Sequence, residues 1–171
     1  MADKLDPPFE TQELRKKLSE FLNSDFNGMK IGHYKFGVYA FFDYDGEPIY
    51  VGQTNEMLRT RIRRHLTNQR TDAVAMNVLD PFEVFEIEIW PLPELQNKNG
   101  KDPDAKEALN ALEYAIFKIA IKNSKFSAIL NEKDPPPVAA QVKIPDSRQD
   151  CIVSELVLEL RPVSCQTFAG D

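Results

Sequence analysis

No stretch of this sequence approaches the ~20 consecutive apolar residues that cross a bilayer, so a membrane partner is not expected. Cysteine is scarce: Cys151 and Cys165 stand far apart, with no Cys-x-x-Cys spacing and no His beside them. That argues against zinc, and in the absence of a secretory signal it favours two reduced thiols and a cytoplasmic location. The opening "MADKLDPPFE" is acidic and Pro-rich and does not read as such a signal. Internal repeats are absent, and so are helix-turn-helix, zinc-finger and helix-hairpin-helix signatures. What is present is a chain of 171 residues, 42% of them apolar, enough for one domain or a small domain with extensions.

Net basic charge is also lacking, since the chain carries −6. The average hides an asymmetry. Residues 57–70, "MLRTRIRRHLTNQR", hold five arginines, no lysine and no acid, so +5 sits here and −11 elsewhere. A solvated helix face is the ordinary meaning of a charge run. Arginine alone shifts the balance towards phosphate, because its planar fork matches phosphate oxygens in pairs. A basic stripe on an acidic body steers a polyanion to one place.

Hydrophobic periodicity outlines the elements. Leu14, Leu18, Phe21 and Leu22 predict a helix over 11–23 with Thr11 as its cap. "NSDFNGMKIGHYKF" reads as a loop. A strand over 36–43 would send Phe36, Val38, Ala40 and Phe42 one way and Tyr39 and Phe41 the other. Asp45-Gly46 suggests a type I′ turn. "PIYV" is the returning strand, ended by Gly52. Leu58, Ile62 and Leu66 then form the apolar stripe of a helix capped by Asn55. Arg61 and His65 lie about 40° apart along one edge of that stripe, where core meets solvent. Arg59, Arg63 and Arg70 fall on the outer side and suit long-range attraction.

"FEVFEIEIW" alternates as a third strand, with Phe85, Ile87 and Ile89 on its buried face and Glu86, Glu88 and Trp90 on a wet one. Asp102-Pro103 starts a helix through residue 123, with Leu109, Leu112, Ile116 and Ile119 on one face. Glu113 lies about 40° from Leu109 on that wheel, inside the apolar arc. A carboxylate there needs a cation, a metal or hydrogen-bond donors. An ion pair with one of the arginines meets that need as well as a metal does. Asn131 begins a polar turn, residues 135–137 are three prolines forming a stiff linker, and "CIVSELVLELRPV" reads as one further strand.

Tripeptides Gly37-Val38-Tyr39 and Tyr50-Val51-Gly52 precede "RIRRH", an inward Glu113 and Asn131, in that order. Any one of these is weak. Together they resemble the GIY-YIG nuclease superfamily over roughly residues 33–133. The resemblance implies an α/β (α+β) domain with a central three-stranded antiparallel sheet flanked by helices. To this the chain adds an N-terminal helix and loop (1–32) and a Pro-rich linker with a strand-containing C-terminal extension (134–171). It implies metal-dependent hydrolysis of DNA phosphodiesters, with restriction or host defence as the setting.

The implied site is Tyr39, Tyr50, Arg61, His65, Glu113 and Asn131. Glu113 is the metal ligand, for Mg²⁺ with Mn²⁺ as a substitute. Tyr39 is the base candidate and Tyr50 its partner, roles that exchange easily; Arg61 and His65 would lower the phenol's pKa. Arg59, Arg63, Arg64 and Arg70 would hold nucleic acid, and a homodimer would cut both strands. RNA and branched DNA are alternative substrates. The alternative function is a non-catalytic nucleic-acid-binding or protein-interaction module on the same fold.

Overall fold

The computed structural model describes residues 8–67, 79–127, 129, 134–139 and 141–160. Arg70, Asn131 and Cys165 lie outside them.

Helix α1 (Phe9–Asn23) buries Leu14, Leu18, Phe21 and Leu22 as their spacing predicts. It starts two residues before the expected cap. Pro8 occupies the N-cap, and no side chain caps the helix. Proline suits that boundary because it has no amide to leave unpaired. The segment read as a loop holds a small hairpin, β1 (Asp25–Phe26) and β2 (Met29–Lys30). Its turn has Asn27 and Gly28 both at positive φ, 50° and 89°. This is the I′ chemistry that the sequence reading placed at Asp45-Gly46.

There, between β3 (Lys35–Phe42) and β4 (Pro48–Met57), the link is longer. Asp43 Oδ1 accepts from the amides of Asp45 and Glu47, both at 2.9 Å, and only Gly46 in this link takes positive φ. The Asp43 side chain organises the turn in place of a two-residue loop.

β4 runs on through Gly52 to Met57 and passes directly into α2 (Leu58–Leu66). Asn55 is therefore strand, not cap; its amide donates to Gly100 O at 2.8 Å. β5 (Glu86–Pro91) and α3 (Pro103–Asn123) follow. The Asp102 carboxylate caps α3 by accepting from Ala105 N at 3.0 Å. At its other end the Ser124 hydroxyl donates to Glu47, just before β4. Ile119, expected inward, is exposed, and Phe117 and Ala120 carry the buried face there instead.

The main sheet has four strands, β4, β3 and β5 side by side in that order and a fourth next to β5, all pairs antiparallel. The fourth corrects the three-stranded expectation. It is β6 (Arg148–Cys151), which shares only Cys151 with the apolar segment read as a strand. That segment turns helical as α4 (Glu155–Glu159), because Ser154 Oγ caps it by accepting from Val157 N. β6 is polar and leans on cross-strand side chains. Gln149 donates to Glu86 at 2.6 Å, and nearby Ser147 donates to Glu88 at 2.7 Å.

The sheet separates two apolar clusters. Tyr39, Phe41, Ile87 and Ile89 face α1 and α2, with Leu18, Leu22, Leu58 and Ile62. Phe36, Val38, Ala40, Val51 and Trp90 face α3, with Leu109, Leu112 and Ile116. Trp90, expected on a wet face, is covered by this second cluster. Strand β3 is central and buried on both faces, so the alternation predicted for it holds in space.

Candidate active site

The site forms where β4, the terminal strand of the sheet, turns into α2. Tyr39 lies opposite Gly52 in the β3–β4 register, and Phe41 opposite Tyr50. Both phenols project to the α2 side. Their rings stack with centroids 6.2 Å apart. His65 completes the group, its ring 5.8 Å from that of Tyr39 and 5.1 Å from that of Tyr50. Gly52 makes this possible: a Cβ there would lie 2.7 Å from both Tyr39 Cζ and Oη and 2.9 Å from a Tyr50 ring carbon. The second tripeptide ends in glycine because the phenols occupy the space a side chain would need.

Arg61 stands one helical turn before His65 on the same edge of α2, as the sequence placed it. Its Nε donates to Tyr39 Oη at 3.3 Å. Burial disfavours the guanidinium charge, but Tyr39, Tyr50 and Glu56 outweigh that and raise its pKa.

Glu113 approaches from α3, on the other face of the sheet. It reaches the site around β4, where Gln53 faces α3 two residues after Val51. Gln53 hydrogen-bonds the Glu113 carboxyl, and its Nε2 also donates to Asn110 Oδ1 at 2.7 Å. Burial pushes the Glu113 pKa up; the Gln53 hydrogen bond and the Arg61 charge pull it part of the way back. Arg61 is thus close enough to act on Glu113 without forming an ion pair with it. The ion pair found among the described residues is Arg64 with Glu56, at 3.2 Å.

Tyr39 departs from expectation. It is fully buried, and burial, reinforced by Tyr50 and Glu113, drives its pKa well above the ordinary phenol value despite Arg61. The anticipated lowering by cations is overridden by desolvation. Tyr39 is therefore a neutral phenol. Its oxygen accepts from Arg61, which leaves its own proton to donate. Tyr50 is only partly buried.

The other arginines separate. Arg59 Nη2 donates to Asn23 at the end of α1, which makes it an internal brace. Arg64 is held by Glu56, and Arg63 is partly exposed. Gln53 and Asn110 escaped the sequence reading. Their signals were slight: Gln53 directly follows Tyr50-Val51-Gly52, and Asn110 precedes Glu113 by three positions on one helix face.

Among the described residues no three His, Cys, Asp or Glu side chains gather into a metal cage. Glu113 with the neighbouring Gln53 and Asn110 offers one carboxylate and amide oxygens. Such a hard, sparse oxygen set fits a cation that keeps most of its water, as Mg²⁺ does.

The end of β4 and the start of α2 thus gather two phenols, a guanidinium and an imidazole, with the Glu113 carboxyl close enough to act on Tyr39 and Arg61. The family model of the GIY-YIG catalytic domain matches residues 35–119. The chain belongs to the GIY-YIG nuclease superfamily, and its substrate is nucleic acid. No curated protein and no solved structure matches it.

Proposed function

We propose that the protein is a metal-dependent endonuclease that hydrolyses DNA phosphodiester bonds, of restriction or host-defence type. The observation that carries this is the hydrogen bond from Arg61 to Tyr39 within the electrostatic reach of Glu113. Binding alone gives no reason to bury a carboxylate beside a phosphate-binding guanidinium.

Hydrolysis forms a P–O bond from water and breaks the P–O bond to the leaving nucleotide. The water proton needs an acceptor, and the leaving oxygen must be stabilised or protonated. In our reading Arg61 clamps the scissile phosphate and opposes its growing charge. Tyr39, held neutral and buried, acts through Arg61: it accepts from Arg61 Nε at 3.3 Å and so aims the guanidinium at the phosphate. Tyr50, nearer to solvent, takes the water proton on its oxygen as its own O–H proton leaves to the neighbouring imidazole of His65, whose ring lies 5.1 Å from its own by centroid. This exchanges the two tyrosine roles expected from sequence, and burial is the reason. Glu113, steadied by Gln53, would hold Mg²⁺, with Mn²⁺ as a substitute. The ion, when bound, supplies positive charge for the phosphate and leaving oxygen.

The same proposal includes residues 33–133 as the nuclease core, a homodimer cutting both strands, and a cytoplasmic location. No helix among the described residues is long and apolar enough to cross a membrane.

Supercoiled plasmid with purified protein and Mg²⁺ tests the proposal. Wild type should nick it, and EDTA, Glu113→Ala or Arg61→Ala should each stop it. Binding without nicking, indifferent to Mg²⁺, would instead identify a non-catalytic module. Parallel RNA and branched-junction substrates decide the nucleic-acid type.

A further inference from the structure

Beside the phenols lies a cleft that starts at Arg61 and extends beyond the catalytic groups. Its volume is about 430 Å³, and Gln53, Glu56, Arg61, Lys101, Lys106 and Asn110 are among its lining residues. The end of β4 forms one wall. The first turns of α3 and the loop before them form the other. The loop is fixed where Asn55 Nδ2 donates to Gly100 O at 2.8 Å, and the helix start is fixed where Asp102 caps it. These anchors hold Lys101 and Lys106 at the rim, and both lysines are exposed.

The cleft is positive although the chain as a whole is negative. Three cations line it, Arg61, Lys101 and Lys106, and its one acid, Glu56, is engaged by Arg64 at 3.2 Å. It is also continuous with the site. Arg61 donates to Tyr39, and Gln53 holds Glu113. A strand whose phosphate rests on Arg61 has a walled, basic path leading away along β4.

We infer that this cleft is the subsite for the DNA strand adjoining the cleaved bond, with Lys101 and Lys106 as its phosphate contacts. This rests on the nuclease reading. The lysines hold the strand in register while Arg61 addresses the scissile phosphate, so they act on binding and leave the bond-breaking step alone.

The test is cleavage of a labelled DNA duplex by wild type and by Lys101→Ala/Lys106→Ala, with binding measured over a salt series in the Glu113→Gln background. The double variant should raise KM about tenfold with kcat nearly unchanged. It should also flatten the plot of log affinity against log salt by about 1.8, since each lost duplex phosphate contact removes about 0.9. Lys101→Arg/Lys106→Arg should restore both. Lys101→Glu alone, checked for an unchanged melting temperature, should raise KM in the same direction.

If wild type cleaves DNA and the alanine double variant keeps its KM and salt slope, the subsite is refuted and the nuclease reading survives. If wild type cleaves no nucleic acid, the nuclease reading falls. Should the slope then still depend on the lysines, the cleft remains a DNA site; if it does not, both fall. A lysine-dependent slope seen with RNA but not with DNA overturns the assignment to DNA.

Discussion

Gly52 and Tyr39 share one volume: a Cβ on the glycine would fall 2.7 Å from the phenol oxygen. Real Cβ atoms do not approach that closely, so one of the two must give way. Tyr39 is fully buried, with Phe41 5.5 Å and His65 5.8 Å from its ring by centroid, and has nowhere to retreat. Gly52→Ala should therefore cost about 1–3 kcal/mol of stability through overpacking. It should also lower cleavage by more than about tenfold, because a 1 Å displacement at a catalytic group is expensive. A thermal melt and a plasmid-nicking rate on the same preparation check both effects.

Glu113 should oppose stability while serving function. Its pKa is raised in the folded protein, chiefly by burial. The native state then holds a proton that the unfolded chain has released. Stability from this group accordingly falls as pH rises from the ordinary carboxylate range through the raised value, and above both values the loss is constant. Glu113→Gln should abolish cleavage yet raise Tm at neutral pH, because the neutral amide carries no buried charge. Below the ordinary carboxylate range the gain should vanish. The acid limb of wild-type activity should lie above that range, because the working form is the anion. Melting curves and initial rates across pH give both signs.

Gln53 should behave as a positioning residue for Glu113. Gln53→Ala removes the hydrogen bond that draws the Glu113 pKa down, so the acid limb should move to higher pH. The Mg²⁺ concentration giving half-maximal cleavage should rise about 10–100-fold, as for other groups that orient a metal ligand. Asn110→Ala should produce a smaller change of the same sign, because Asn110 holds the Gln53 amide in place. A purely structural role would lower Tm and leave the pH profile in place.

Arg59 and Arg63 should part company, although the sequence grouped them. Arg59 donates to Asn23, and a Cβ at Gly32 would lie 2.9 Å from its Nε, so its side chain ties α2 to the end of α1 across Gly32. Arg59→Ala should cost about 1–2 kcal/mol and leave the salt dependence of DNA binding unchanged. Arg63→Ala should do the reverse, reducing the salt slope by about 0.9 with little change in Tm. Melting and salt-titrated binding of the two variants separate these outcomes.

What could be read in advance was set by pattern. Leu58, Ile62 and Leu66 repeat at helical spacing, and strand β3 alternates, so the elements carrying Tyr39, Arg61 and His65 were evident. The place of Glu113 on an apolar arc announced a carboxylate in need of a partner. Strand β6 was hidden because Arg148, Gln149 and Asp150 show no apolar alternation; their pairing comes from backbone and polar cross-strand bonds. The following segment alternates like a strand, but one Ser154 cap was enough to coil it. Gln53 was invisible because an amide announces neither charge nor hydrophobicity. The sign of the Tyr39 shift could not be read either, since it depends on how much water burial removes against how near one guanidinium comes.

Helix α3 is tied by side chains at two points, midway by Asn110 to Gln53 on β4 and at its C-terminal cap by Ser124 to Glu47. A rod pinned once can swing; pinned twice, it becomes a strut. Glu113 sits between the two pins, so its span to the phenols is set when the chain folds. The two ties act as the hinge and stop of a caliper, and they set the gauge that a substrate meets.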